Sequence, residues 1–125
     1  MRKVLVVDDS ATMRRMIMAT LASLGDVAFE QAVSGLEAIE RITLAPVDLV
    51  MLDLNMPDIH GLEVLRFIRA QESLHLVPVV ILTTRGDEES RVAAERDGVS
   101  LYLTKPFSPP ELLAQVRTLL EGAPA

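Results

Sequence analysis

The chain carries five short runs rich in apolar or β-branched residues, and all but the second are followed at once by polar or charged residues. They are Lys3 to Val7, Val27 to Ala32 (the weakest), Val47 to Leu52, Val77 to Leu82 and Leu101 to Leu103. A strand with one wet face alternates apolar and polar residues. Consecutive apolar positions must be covered on both faces. Between the runs lie segments with helical signals. Ser10 is a cap for Met13, Met16, Ile17, Thr20, Leu21 and Leu24, with Gly25 as the stop. Ser34 and Glu37 form a capping box before Leu36, Ile39 and Ile42, and Pro46 ends that stretch. Leu62, Leu65 and Ile68 mark a third helix. Glu88 to Asp97 forms a polar fourth helix after Gly86-Asp87, with Val92 and Ala93 as its main apolar positions. Ser108-Pro109-Pro110-Glu111 opens a fifth, whose buried face is Leu112, Leu113, Val116, Leu119 and Leu120. Strands and helices that alternate in this way predict an α/β doubly wound domain with a parallel sheet between helical layers. One domain is expected over residues 1–121, with 122–125 as a frayed tail.

In such a sheet every strand ends at one edge, where ligands bind. The residues delivered there are Asp8-Asp9, Asp53, Thr83 and Lys105, from four separate strands. Asp53 follows four hydrophobic residues and meets loop residues at once in Asn55, Pro57, Asp58 and Gly61. Three carboxylates confined together repel unless a cation neutralises them. Oxygen ligands with no His or Cys beside them suit Mg²⁺, which retains waters and takes up phosphate oxygens. Phosphoryl chemistry follows from that composition. Asp53 is then the exposed carboxylate that acts as nucleophile and forms an aspartyl phosphate. Asp8 and Asp9 hold the metal, with the Asn55 backbone carbonyl as a further ligand. Lys105 reaches a phosphoryl oxygen, and the Thr83 hydroxyl donates to another.

Whole-chain numbers bound the alternatives. A net charge of −6 argues against direct contact with nucleic acid, which demands Lys and Arg patches. The absence of cysteine excludes disulfides and thiolate chemistry. The apolar run after Met1-Arg2-Lys3 stops at Asp8, too early for a signal-peptide core, and no segment is long enough to span a membrane. A cytoplasmic protein is expected.

Five motifs in register resemble the receiver domains of two-component response regulators, and are similar to the single-domain chemotaxis regulators. They are Val6 to Ser10 (VVDDS), Thr12 to Arg15 (TMRR), Leu52 to Gly61 (LDLNMPDIHG), Leu82 to Thr84 (LTT) and Thr104 to Phe107 (TKPF), and together they cover essentially the whole chain. The resemblance implies a flavodoxin-like (βα)5 fold with strand order 2-1-3-4-5. It implies that Asp53 accepts a phosphoryl group from a histidine kinase or phosphotransfer protein with Mg²⁺ bound. It makes Thr83 the switch hydroxyl, Tyr102 the switch aromatic and Lys105 the lysine of the pattern, and it implies a cis peptide before Pro106. Thr83 would move toward the phosphate, Tyr102 would rotate inward, and the face formed by the fourth helix, fifth strand and fifth helix would signal to an output protein. A monomer or a phosphorylation-dependent dimer would serve. No effector domain follows Ala125, so output is expected through protein contact, unless the chain is part of a longer regulator.

Arg85 and Thr84 depart from the commonest receiver patterns. Arg85, with Asn55, is expected to affect the rate of dephosphorylation, and Thr84 to restrict access. Met13 and Met16 are expected in the core, with Arg14 and Arg15 on the outside as candidate kinase contacts. His60 and His75 receive no catalytic role. A phosphatase of the haloacid-dehalogenase type would place a second aspartate two residues after the nucleophile. Asn55 stands there, so a turnover enzyme is not expected.

Overall fold

A computed structural model describes residues 1–84 and 86–121; Arg85 and the expected tail at 122–125 lie outside the described residues. The elements run β1 (Arg2–Val7), α1 (Ala11–Leu21) with a 3-10 turn (Ala22–Leu24), β2 (Val27–Ala32), α2 (Gly35–Leu44), β3 (Leu49–Leu52), α3 (Gly61–Ala70), β4 (Val79–Thr83), α4 (Glu88–Arg96), β5 (Leu101–Thr104) and α5 (Pro109–Glu121). The five strands are parallel in the order β2-β1-β3-β4-β5. The doubly wound sheet expected from the sequence is therefore the fold observed.

Odd and even positions of each central strand feed two separate cores, which is why those strands cannot alternate with polar residues. Leu5, Val7, Val50, Leu52, Val79 and Ile81 pack with Ala38, Ile42, Leu62, Val64, Leu65, Ile68 and Ala94 on the α2/α3/α4 side. Val4, Val6, Leu49, Met51, Val80 and Leu82 pack with Ile17, Leu21, Leu112, Val116 and Leu120 on the α1/α5 side. Each fully buried leucine or isoleucine contributes about 2 kcal/mol through removal of apolar surface from water.

The elements depart from their expected form at identifiable places. β4 begins at Val79 because Pro78 has no N–H for the ladder, although its carbonyl accepts from Val50 N at 3.0 Å. β3 begins at Leu49 rather than Val47. On α1, Ile17 and Leu21 are buried while Met16 is 48% exposed. Met16 lies about 100° around the helix from Ile17, outside a narrow buried arc. On α4 the buried residues are Ser90 and Ala94, one turn apart, and Val92 faces outward. On α2, Leu36 is exposed and Ala38 and Ile42 are buried.

The predicted caps form. Ser10 Oγ accepts from Met13 N at 3.2 Å and Ser34 Oγ from Glu37 N at 3.1 Å. Glu37 completes its box by accepting from Val33 N at 3.2 Å, one residue ahead of the cap itself. His60, unassigned from the sequence, caps α3 by accepting from Leu62 N at its Nδ1, 3.2 Å away. Arg69 of α3 donates to the carbonyls of Gly98, Val77 and His75 at 2.8, 2.6 and 3.2 Å. Partial burial draws its guanidinium below the usual arginine value. Among the described residues no helix is long and apolar enough to cross a membrane.

Candidate functional site

Strand register alone sets the carboxylates level. Val7 is paired with Leu52, so the next residues, Asp8 and Asp53, leave the sheet side by side. Asp53 N donates to Val7 O at 3.1 Å, and Asp8 N to Ala32 O at 3.1 Å. On the other flank Thr83 pairs with Thr104, and Lys105 N donates to Thr83 O at 2.8 Å. The peptide from Lys105 to Pro106 is cis, as the family resemblance implies.

Lys105 Nζ lies 2.7 Å from Asp8 Oδ2 and 3.5 Å from Asp53 Oδ2. Both carboxylates are nearly closed off from solvent, with Asp8 1% and Asp53 6% exposed. This corrects the expectation of an exposed Asp53, whose side chain is largely covered. Lys105 is half-buried, so it is not the solvated surface lysine that such a position would ordinarily hold. Asp9 is exposed at the rim. One oxygen each from Asp8, Asp9 and Asp53 can be chosen within 4.8 Å of one another. An all-oxygen set of that span fits a hard divalent cation such as Mg²⁺ and offers no soft ligand for zinc or copper.

Asp8 is held by the turn that follows it and by α1. Asp8 Oδ1 accepts from Ser10 N at 2.9 Å, and Asp8 O accepts from Arg14 Nη1 at 2.7 Å. Arg14 Nε also donates to Gln31 Oε1 at 2.9 Å. Arg14 is thus half-buried and engaged with the site's own turn, whereas Arg15 is exposed. Asn55 N donates to Asp53 Oδ1 at 3.3 Å, which orients the carboxylate over its own loop. That loop closes with Gly61 N on Leu54 O at 3.0 Å. A Cβ on Gly61 would overlap the Asp53 carbonyl oxygen and Leu54 Cα, so the close approach requires glycine.

Thr83 is fully buried at the end of β4. Tyr102 is half-buried on β5, paired with Ile81 and packed on the α2/α3/α4 side. Two-residue periodicity puts Thr83 on the same face of β4 as Ile81, so the two residues lie along one face of the β4/β5 pair. Thr84 is exposed, and Arg85 lies outside the described residues.

One residue of the site region had no distinct signal in the sequence. Asp58 accepts from Gly35 N at 2.9 Å and Leu36 N at 3.0 Å, so its carboxylate closes the start of α2. The Leu36 N–H, with those of Ile59 and Gly35, holds its pKa at about 2, below the usual 3.8. Pro57-Asp58 reads as a turn, and its partners lie 22 and 23 residues upstream, beyond any local pattern.

Comparison with known proteins agrees with this geometry. The model of the response regulator receiver domain matches residues 4–117. Chemotaxis protein CheY1 of Helicobacter pylori is 37% identical over 119 residues, covering 94% of this chain and 96% of that protein. Transcriptional regulatory protein ResD of Bacillus subtilis is 40% identical over 121 residues, covering 97% of this chain and 49% of ResD. Among solved structures, Vibrio cholerae chemotaxis protein CheY4 is 35% identical with a TM-score of 0.85, covering 94% of this chain and 97% of that one. With five parallel strands in the receiver order and similarity over nearly its whole length, this chain belongs to the response regulator receiver domain family.

Proposed function

We propose that residues 1–121 act as a phosphorylation-driven signalling switch in which Asp53 is the phosphoryl acceptor. The observation that carries this reading is Lys105 Nζ lying between Asp8 and Asp53, 2.7 and 3.5 Å from their oxygens. A cation already in contact with Asp53 is placed to meet the charge of an incoming phosphoryl group.

The donor is a histidine kinase or phosphotransfer protein. A carboxylate oxygen of Asp53 attacks phosphorus, a P–O bond forms as the donor's P–N bond breaks, and the released imidazole takes a proton. Phosphoryl transfer of this kind asks chiefly for positioning and charge stabilisation. Asp53 is oriented by Asn55 N, and the Lys105 ammonium offsets charge on the phosphoryl oxygens. Asp8, Asp9, Asp53 and the backbone carbonyl of Asn55 would hold Mg²⁺, which would supply further charge neutralisation. Water later attacks phosphorus, breaks the bond to Asp53 and releases inorganic phosphate. No second aspartate stands at position 55 to speed that step, so the chain is a phosphoacceptor with slow self-hydrolysis rather than a turnover enzyme.

The new charge and acceptor oxygens draw the Thr83 hydroxyl, and Tyr102 on the same face turns inward. The α4/β5/α5 face then changes its affinity for an output protein. The thin buried face of α4, Ser90 and Ala94, supports this part of the reading, because a weakly held element is easily repositioned. The chemotaxis relatives covered over nearly their full length support output by protein contact, from a monomer or a phosphorylation-dependent dimer. The test is intact mass after exposure to a small acyl phosphate. Wild type is expected to gain one phosphoryl group with Mg²⁺ and far less without it, and Asp53→Ala to gain none. Uptake by Asp53→Ala would overturn the assignment.

A further inference from the structure

The segment from Asn55 to His60 is a surface excursion pinched at its base by the Leu54–Gly61 hydrogen bond. Nothing in that pinch fixes the height of its outer part relative to the acidic pair. Asp58 ties that outer part to α2. Its Oδ1 and Oδ2 accept separately from Gly35 N and Leu36 N, the first two N–H groups of α2. Ser34 Oγ takes the next N–H, on Glu37, so α2 begins with its donors satisfied and its positive end facing Asp58. The fit is close on the other side too. A Cβ on Gly35 would meet Ile59 Cβ at 2.9 Å and Ile59 O at 3.0 Å. The loop therefore rests on α2 through a charged two-point contact and a backbone approach with no spare room.

Building on the proposed cation site, we infer that Asp58 is a positioning residue for it: the Asp58–α2 staple sets where the Asn55 carbonyl stands relative to Asp8, Asp9 and Asp53. Groups that orient a metal's ligands commonly govern its affinity by about tenfold or more without touching the metal. Charge and position make separable contributions, because Asp58 is also an anion near the site. Asp58→Asn removes the charge and replaces one of the two accepting oxygens with an NH₂ donor, so one arm of the staple is lost. Gly35→Ala leaves every charge in place and presses the new methyl against Ile59.

The experiment is a MgCl₂ titration of the ¹⁵N-labelled full chain, following amide shifts near Asp53, with thermal melts of each variant recorded in parallel. Wild type is expected to show saturable shifts. Asp58→Asn should raise the Mg²⁺ Kd about tenfold. Gly35→Ala should raise it about threefold or more, with the loss unchanged at higher ionic strength, where a purely coulombic effect fades. Lowered melting temperatures with an unaltered Kd in both variants would overturn the inference and leave Asp58 a structural staple. A raised Kd in Asp58→Asn alone would overturn it in favour of charge. Absence of saturable shifts in wild type would instead remove the cation site itself, and this inference with it.

Discussion

Lys105 and Asp8 are separated by 97 residues in the chain and by 2.7 Å in space. The contact exists because β1 and the end of β5 deliver their polar residues to one edge of the sheet, on either side of Asp53. Asp8 and Asp53 thus share one ammonium in a nearly dry setting. Lys105→Met removes it while keeping most of the stem. Phosphoryl uptake from a small acyl phosphate should slow on the order of 100-fold, the usual cost of losing one preorganised charge-stabilising donor. The two carboxylates are also left uncompensated, so Mg²⁺ should raise the melting temperature more in Lys105→Met than in wild type. Time-resolved intact mass and paired melts check both effects. An unchanged uptake rate would remove Lys105 from the chemistry.

Thr83 and Tyr102 lie on one face of the β4/β5 pair, next to α4. If they couple phosphate to output, Tyr102→Ala should still be phosphorylated but should lose about tenfold of the phosphorylation-linked change in partner affinity, the scale of a typical allosteric coupling. Thr83→Ala should lose it as well. Equal changes in wild type and Tyr102→Ala would show that the aromatic ring carries no coupling.

Helix α4 buries Ser90 and Ala94, whereas α3 buries Gly61, Leu62, Val64, Leu65 and Ile68. Amide hydrogen exchange should therefore be faster in α4 than in α3 under native conditions, since local opening of α4 exposes little apolar surface. Protection of α4 equal to that of α3 would contradict a loosely held switch element.

Asp58 gives a pH dependence of defined sign. Its folded pKa, about 2, is below the usual 3.8, so folding favours the ionised form. Its contribution to stability is present above the unfolded value and is lost as pH falls through the folded one. Denaturant curves of wild type and Asp58→Asn should differ most above pH 3.8 and converge as pH is lowered toward 2. A gap that stays constant across that window would show that the carboxylate charge contributes nothing to α2.

Arg69 spans three stretches of chain through the carbonyls of His75, Val77 and Gly98 and the hydroxyl of Ser100, 3.3 Å away. Arg69→Met keeps the apolar stem and leaves those acceptors without their cation. A loss of about 2–3 kcal/mol is expected in urea unfolding, with little effect on phosphoryl uptake. A loss below about 0.5 kcal/mol would mean that water satisfies these carbonyls equally well.

The sheet was legible because β1, β3 and β4 are buried on both faces and spell that out as unbroken apolar runs. Each run stops on a polar residue, so Asp8, Asp53, Thr83 and the neighbouring Lys105 could be assigned to one edge before any geometry was known. What stayed hidden was set by contacts at long sequence separation or by small residues. Asp58 acts on backbone N–H groups of Gly35 and Leu36, which carry no side-chain signature. Arg14 looked like a surface cation and is engaged with the Asp8 carbonyl and Gln31. On α4, a serine and an alanine make the buried face, and no hydrophobic periodicity announces them. Met16 lies outside the core because helical spacing marks a wide apolar arc, while packing against α5 and the sheet covers only the part centred on Ile17 and Leu21.

The claim on which the rest depends is that Asp53 itself carries the phosphoryl group. Borohydride reduction of the phosphorylated protein, followed by peptide mass mapping, converts an aspartyl phosphate into homoserine at the modified position. The account predicts homoserine at position 53 and intact aspartate at 8 and 9. Modification at Asp8, at Asp9, or on any hydroxyl or imidazole would contradict it.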